Sequence, residues 1–235
     1  MAGIKNIIKK VLQIKPPHTG YVDPSTGYGT MSFSQEGEDL VLMRFLGNRP
    51  KGFYVDIGAH HPFRFSNTYL FYQKGWNGIN VDAMPGSMNS FRNLRPRDIN
   101  LEIPVSSKIQ KLTYHIFNEP ALNTFSQEEA NNKNGLRDYK IIETVEMDTF
   151  PLSEILANNL PANQMIDFMS IDVEGLDFDV LQSNNWDKFR PEVILIESLR
   201  SSLDNIHENE VYQFLKIIGY SFVAKTFNTL FFKRD

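Results

Sequence analysis

The sequence predicts an α/β protein with a seven-stranded, mostly parallel sheet, and three patterns lead to this prediction. Short apolar runs alternate with helical stretches over most of the chain, as they do in repeated β-α-β units. Two apolar runs at the C-terminal end, 220–226 and 229–235, are so close in sequence that they must form an antiparallel hairpin. Two further strand-like runs, 111–117 and 140–147, interrupt the alternation and predict an inserted β-hairpin.

The predicted elements follow in chain order. A proline- and glycine-rich linker at 16–30 precedes a helix at about 35–46, for which Ser34 is the expected N-cap and Gly47 the end. The remaining elements are strands at 53–58, 78–83, 99–105, 165–172 and 192–197, and helices at 66–73, 85–93, 151–158, 178–183 and 206–218. A parallel sheet with one antiparallel hairpin at its C-terminal end matches the Rossmann-like arrangement of class I methyltransferases.

The composition excludes several kinds of chemistry. The 235 residues include no cysteine, so a disulfide framework, a thiolate zinc site, an iron–sulfur cluster and a cysteine nucleophile are all excluded. The formal net charge of -4 gives no reason to expect nucleic acid as a partner. No run of apolar residues is long enough for a membrane span.

The first fifteen residues differ from the rest of the chain, because their only charged side chains are four lysines set among apolar residues at helical spacing. We expect an amphipathic segment and linker at 1–31, followed by a single domain at 32–235. The segment lacks the features of a signal peptide, so we expect a cytoplasmic protein. It either lies on an anionic membrane surface, which would make the protein peripheral to the membrane, or packs on the protein or frays, and we favour the second interpretation.

Acidic residues follow four of the predicted parallel strands, at the points where those strands end. They are Asp56, Asp82, the pair Asp172 and Glu174, and Glu197. Ligands of open α/β sheets bind outside the carboxyl ends of the strands. A single carboxylate there is often a helix cap or a turn former, whereas carboxylates on four strand ends indicate a functional site.

The turn after the first strand indicates which ligand the site takes. It has one glycine, Gly58, followed by Ala59, His60 and His61, and so lacks the glycine-rich loop that holds a pyrophosphate. Asp82 lies at about the spacing at which an acidic residue binds a ribose diol, roughly 20 residues beyond the glycine turn. A nucleoside without phosphates fits both observations, and S-adenosylmethionine is the common one. Asp56 could hold its amino-acid portion.

Five stretches of the sequence, in this order, resemble the FkbM-type methyltransferase family of S-adenosylmethionine-dependent O-methyltransferases. They are SFSQEGEDL (32–40), GFYVDIGAHHP (52–62), SNTYLFYQKGWNGINVDAMP (66–85), RPRDIN (95–100) and FMSIDVEGLDFDVL (168–181). The resemblance implies the class I fold, S-adenosylmethionine as the methyl donor, and methylation of a hydroxyl, often on a sugar or a polyketide. Surface-polysaccharide or secondary-metabolite biosynthesis is the expected setting, with a small molecule or a glycan as the acceptor.

The resemblance also implies a set of donor-binding residues. They are Gln35, Glu38, Asp56, Gly58, Ser66, Asn67 and Asp82. Asp82 is expected to hold the ribose. Ser66 and Asn67 open a helix whose free N–H groups would meet the methionine carboxylate. Gln35 and Glu38 either close over the donor or cap a helix.

The group that removes the proton from the acceptor hydroxyl is left open by the sequence. Glu174, Asp172, His60 and His61 are the candidate catalytic bases, because a histidine has a suitable pKa and burial can raise that of a carboxylate. Alternatively, Asp172, Glu174 and Glu197 hold a divalent cation that lowers the hydroxyl pKa, although the spacing does not demand a metal.

The alternative to an enzyme is a non-catalytic protein of the same fold that binds the donor or acts as a scaffold. The polar segment 118–138 is expected to be a mobile lid over the site. Arg92, Arg95 and Arg97 form a small basic cluster that we interpret as a solvated helix end. The sequence does not indicate an oligomeric state.

Overall fold

A seven-stranded sheet organises the computed structural model, which describes residues 29–47, 49–199 and 201–235. The strands lie in the order β3-β2-β1-β6-β7-β9-β8. The five parallel strands are β1 (Phe53–Ile57), β2 (Asn77–Asp82), β3 (Ile99–Glu102), β6 (Phe168–Ile171) and β7 (Val193–Glu197). The predicted C-terminal hairpin is β8 (Tyr220–Lys225) and β9 (Thr229–Arg234), and β9 pairs antiparallel with β7. The predicted fold class is therefore confirmed.

The inserted hairpin forms a separate two-stranded sheet of β4 (Gln110–Phe117) and β5 (Ile141–Thr149). The segment between these strands contains two short helices, a 3₁₀ turn at Pro120–Leu122 and the α-helix α4 (Gln127–Lys133). Ser126 caps α4 by accepting a hydrogen bond from the backbone N–H of Glu129. The polar segment 118–138 thus contains regular secondary structure, whereas the mobility expected of it stays a prediction.

Six other α-helices connect the strands within the described ranges. They are α1 (Glu38–Leu46), α2 (Tyr69–Gln73), α3 (Met88–Leu94), α5 (Leu152–Asn159), α6 (Asp177–Gln182) and α7 (Glu210–Ile217). The helix predicted at 206–218 is divided, because the side chain of Asn209 caps a new helix by accepting from the N–H of Tyr212. In the part of the chain that the structure describes, no helix is long and apolar enough to cross a membrane.

Helix α1 begins later than the sequence predicts. Its N-cap is Gly37, at a φ of +87°, and Ser34 lies outside the helix. Ser34 instead hydrogen-bonds Asp39, whose other carboxylate oxygen accepts from the N–H of Phe33. These bonds fold residues 33–37 into a turn before the helix starts. The amphipathic segment at 1–15 lies outside the described residues.

A buried charged network joins the first half of the sheet to the loop after α3. Arg95 is completely buried, so its assignment to a solvated basic cluster is wrong, although Arg92 and Arg97 are exposed. Its guanidinium donates to Asp98 at 2.8 Å and to the hydroxyl of Tyr54 at 2.8 Å. Asp98 accepts further bonds from the Tyr54 hydroxyl and from the second strand, at the N–H of Gly78 and the side chain of Asn80. The buried charges are therefore paired with each other and with polar groups, whereas the side-chain oxygen of Asn80 has no partner among the described residues.

Candidate functional site

A cleft opens at the carboxyl ends of β1, β2 and β6, where the sequence predicts the site. The space inside it, counted together with its opening to solvent, is about 730 Å³. Its wall consists of Gln35, Gly58, His60, Phe65, Val81, Asp82, Ala83, Ile103, Val105, Tyr114, Pro120, Ala121, Asn123, Phe125, Asp172, Val173 and Glu174. Apolar side chains thus surround a small number of carboxyl and polar groups.

Gly58 lies where the loop after β1 passes the end of β6. Its φ is +87°, and a Cβ atom at this position would lie 1.6 Å from the backbone oxygen of Asp172. No other residue fits, because a side chain here would separate the two central strands. Gly58 therefore brings the loop of the first strand against the acidic residues that follow β6.

Asp82 lies on the wall of the cleft and also orders the loop opposite it. One carboxylate oxygen accepts from the N–H of His60 at 2.9 Å, and the other accepts from the N–H of Met84 at 2.8 Å. His60 has a φ of +52°, which is uncommon for a residue with a side chain. Each oxygen keeps a second lone pair, so Asp82 can still accept hydrogen bonds from a diol.

The two candidate histidines have different positions. His60 lines the cleft, and burial together with the neighbouring charge of Arg64 lowers its pKa to about 4. His60 is therefore neutral at physiological pH and can accept a hydrogen bond, whereas the lowered pKa makes it a weak proton acceptor. His61 is not on the wall, and its Nδ1 accepts from the N–H groups of Phe63 and Arg64. His61 thus stabilises the loop.

Four carboxyl groups gather beside the cleft, at the ends of β6 and β7 and the start of α6. They belong to Asp172, Glu174, Asp177 and Glu197. Burial raises the pKa of each, and burial together with repulsion by the other three carboxylates raises that of Glu197 to about 11. Glu174 differs from the others because Lys133 of α4 forms an ion pair with its Oε2 at 2.5 Å, which opposes the effect of burial on its pKa.

The inserted hairpin closes one side of the site. Tyr114, Asn123 and Phe125 contribute to the cleft wall, and Thr124 donates a hydrogen bond of 2.6 Å to the backbone oxygen of Glu174. This bond holds Glu174 at a φ of +56°. On the opposite side of the opening, Glu119 of the insertion pairs with Arg64 at 3.0 Å. The insertion is therefore bound to the loops after both β1 and β6.

Comparison with known proteins decides the family to which this site belongs. The sequence model of the methyltransferase FkbM domain matches residues 56–222, which is well over half of the chain. The chain belongs to the FkbM methyltransferase family. The family is one of methyltransferases and implies S-adenosylmethionine as the donor.

Other comparisons add little. A solved structure of a TehB-like SAM-dependent methyltransferase from Corynebacterium glutamicum is similar over 100% of this chain and 99% of that one. The two chains are 8% identical and the TM-score is 0.37, values that carry no argument about function. No curated protein matches the chain.

Several expected donor-binding residues of this FkbM-family methyltransferase lie behind the wall of the cleft. Asp56 is buried and accepts from the hydroxyl of Thr68 at 2.8 Å, and burial raises its pKa to about 6. Ser66 accepts from the N–H of Tyr69, the first residue of α2, so one of the N–H groups expected to meet the methionine carboxylate is already bonded. Asn67 donates to the hydroxyl of Ser170 and lies on the wall of a smaller hollow that shares Asp172 with the cleft. Asp56 and Ser66 thus support the loop after β1 from behind.

Gln35 and Glu38, which the sequence leaves between two roles, have separate positions. Gln35 is part of the cleft wall. Glu38 is buried and outside the cleft, where it accepts from the N–H of Glu36 and from the hydroxyl of Thr226 in the turn between β8 and β9. Glu38 thus attaches α1 to the C-terminal hairpin, and the N-cap of α1 has no side-chain hydrogen bond.

Sequence reasoning about this methyltransferase missed the residues that the insertion contributes. Nothing in the local pattern around Tyr114 or Phe125 marks them as cleft residues, because their neighbours look like an ordinary amphipathic strand and a polar loop. Lys133 was missed for a similar reason, since a lysine at the end of a polar helix is most often solvated. Only the position of the insertion in the fold could have indicated these residues, because the insertion leaves the sheet near the end at which ligands bind.

Proposed function

We propose that this methyltransferase transfers the methyl group of S-adenosylmethionine to a hydroxyl of a sugar, in surface-polysaccharide or secondary-metabolite biosynthesis. The observation that carries the proposal is that Asp82 and the β6 carboxylates line the same cleft from two sides. Asp82 could accept hydrogen bonds from a ribose diol, and a carboxylate that follows β6 could accept the proton of an acceptor hydroxyl. A protein that binds the donor without transferring its methyl group would need Asp82 but not the carboxylates that follow β6.

The donor side of the cleft is formed by the loops after β1 and β2. We expect Asp82 to accept hydrogen bonds from the ribose, with Gly58 allowing the donor to approach the backbone. Val81, Ile103 and Val105 supply apolar surface for the adenine. A bound S-adenosylmethionine supplies an activated methyl group, so the protein needs only to align the acceptor and remove a proton.

The carboxylates at the end of β6 face the reacting hydroxyl in this proposal. As the oxygen–methyl bond forms and the sulfur–methyl bond breaks, Glu174 accepts the hydroxyl proton. Its ion pair with Lys133 favours the ionised form, which is the form able to act as a base. The neutral His60 lies on the same wall and is positioned to accept a hydrogen bond from the acceptor.

A second hollow supports a sugar as the acceptor. It adjoins the acidic group on the side away from the donor, and its wall consists of Glu129, Gly175, Asp177, Phe178, Glu197, Ser198, Leu199, Asn209, Glu210 and Val211. Carboxylates, an amide and a hydroxyl are suitable partners for sugar hydroxyls, and Phe178 offers a flat apolar surface. This wall has four acidic side chains and no basic one, which disfavours an anion, so we expect an uncharged polyhydroxyl group.

The acceptor is tested in cells with and without the protein. Mass spectrometry of surface glycans and secondary metabolites should reveal one class of molecule that lacks a methyl group when the protein is absent. The purified unmethylated molecule then serves as the acceptor in vitro. An unchanged set of methylated sugars, with a change in methylated protein or nucleic acid instead, would contradict the proposal.

We predict that Asp82→Ala weakens S-adenosylmethionine binding by about 2–3 kcal/mol, because two ribose hydroxyls lose a charged acceptor. Isothermal titration calorimetry measures this change. Glu102→Ala is the matched control, since Glu102 is the register partner of Asp82 on β3 and is exposed. Equal donor affinity in the two variants would mean that the ribose is bound elsewhere.

A further inference from the structure

The inserted helix α4 packs directly on the loop that follows β6. Gly175 has a φ of +102°, and a Cβ atom there would lie 2.7 Å from Glu129 Cγ and 3.2 Å from Ser126 Cβ. A larger residue at this position would therefore push the helix away. Thr124, which precedes the helix, donates to the backbone oxygen of Glu174 at 2.6 Å. These contacts hold α4 beside the side chain of Glu174.

Lys133, in the last turn of α4, contacts Glu174 through an ion pair. Its Nζ lies 2.5 Å from Glu174 Oε2, and the two side chains are only 14% and 22% exposed. The other oxygen, Oε1, makes no hydrogen bond within residues 29–47, 49–199 and 201–235, and Glu174 lines the cleft. The ion pair thus fixes one carboxylate oxygen and leaves the other for the proton of an acceptor.

The groups around Glu174 include one cation and several acids. Burial raises the pKa of Glu174 and the charge of Glu129 adds to this effect, whereas Lys133 lowers that pKa. The titratable groups that face Glu174 are Tyr114 of β4, Glu129 and Lys133 of α4, Asp172 after β6, Asp177 of α6 and Glu197 of β7. In the part of the chain that the structure describes, the carboxyl groups of these last three residues form no ion pair.

We propose that Lys133 is a positioning residue of the reaction, which selects Glu174 among four neighbouring carboxyl groups as the ionised base. The inference rests on the proposed function, in which Glu174 accepts the proton of the acceptor hydroxyl. As the oxygen–methyl bond forms and the sulfur–methyl bond breaks, that proton passes to Oε1 of Glu174, and Lys133 keeps its own protons. The inserted helix, and not the sheet alone, therefore completes the catalytic site.

The pH dependence of kcat in Lys133→Met, measured with the acceptor found by mass spectrometry, tests this inference. Loss of the cation raises the pKa of Glu174, so the acidic limb of the profile should move to higher pH by about one unit or more. At pH 7 kcat should fall by about tenfold or more, and much of this loss should be recovered at pH 9. Lys133→Arg keeps the charge and should keep the acidic limb where the wild type has it.

Lys111→Met is the matched control. Lys111 also belongs to the insertion and pairs with Asp148 at 3.0 Å, but both side chains are exposed. Its removal should leave the pH profile unchanged. Calorimetry should show wild-type affinity for S-adenosylmethionine in every variant, and thermal unfolding shows that each is folded. If methionine at position 133 prevents folding, Lys133→Gln removes the same charge with a polar side chain and should shift the profile in the same direction.

A kcat of the folded neutral variant that is unchanged, or that falls by the same factor at every pH, would overturn the inference. Lys133 would then only attach the insertion to the loop. If Glu174→Gln is inactive while the neutral Lys133 variant keeps the wild-type profile, the proposed function stands without this inference. Full activity of Glu174→Gln would instead remove Glu174 as the base, so the two failures can be told apart.

Discussion

Replacing Glu174 by glutamine is expected to lower kcat by about a hundredfold, with little change in the affinity for S-adenosylmethionine. Glutamine keeps the size of the side chain and its ability to accept a hydrogen bond from Lys133, but it cannot take a proton. The donor contact expected from Asp82 comes from β2, which lies two strands away from β6 in the sheet. The change should therefore affect the chemical step and leave donor binding intact.

This experiment needs the acceptor found by mass spectrometry, and it needs a control close to the same lysine. Glu128→Gln serves, because Glu128 lies on the same helix as Lys133, is exposed and is part of neither the cleft wall nor the wall of the second hollow. We expect this variant to keep kcat within a few fold of the wild type. Full activity of Glu174→Gln would exclude Glu174 as the base and leave His60 and Asp172 as the candidates.

Replacing Arg95 by methionine is expected to lower the free energy of unfolding by about 3–5 kcal/mol, because it removes one partner of a buried ion pair. Methionine fills much of the same space, so the loss comes mainly from charge and hydrogen bonding. Asp98 would lose its cation, and the hydroxyls of Tyr54 and Thr68 would lose a donor. Denaturant unfolding followed by circular dichroism measures the change.

Arg92→Met is the matched control for this stability measurement. Arg92 lies in the last turn of α3, three residues before Arg95, and is exposed. Its only described hydrogen bond is to the side chain of Asn89, so we expect a change within about 0.5 kcal/mol. Equal stability of the two variants would show that the Arg95 network contributes nothing beyond packing.

The sheet could be predicted because its strands are short apolar runs separated by clear turn and helix signals. The central strands β1 and β6 are buried at every position, so their pattern does not depend on distant parts of the chain. The start of α1 could not be predicted, since it depends on how Asp39 binds Ser34 and the backbone of Phe33. The residue types do not indicate whether Ser34 caps the helix or hydrogen-bonds Asp39 in a turn before it.

The site was only partly predictable for a related reason. Strand order brings Asp82, Asp172 and Glu174 to one edge, and the sequence shows where those strands end. Whether a carboxyl group then faces the cleft or the interior depends on packing, and Asp56 faces the interior, towards Thr68. The burial of Arg95 was missed because two of the groups that accept from its guanidinium, the hydroxyls of Tyr54 and Thr68, are 41 and 27 residues away in the sequence.

The order of the last two strands has a consequence for the synthesis of the protein. The chain makes β8 at the outer edge before it makes β9, which then fills the gap between β7 and β8. Until the ribosome has passed residue 234, one side of the apolar strand β7 has no hydrogen-bonding partner in its final place. Such an open edge can pair with other nascent chains. Synthesis and pairing of β9, more than the folding of the N-terminal half, is therefore the step that closes this edge.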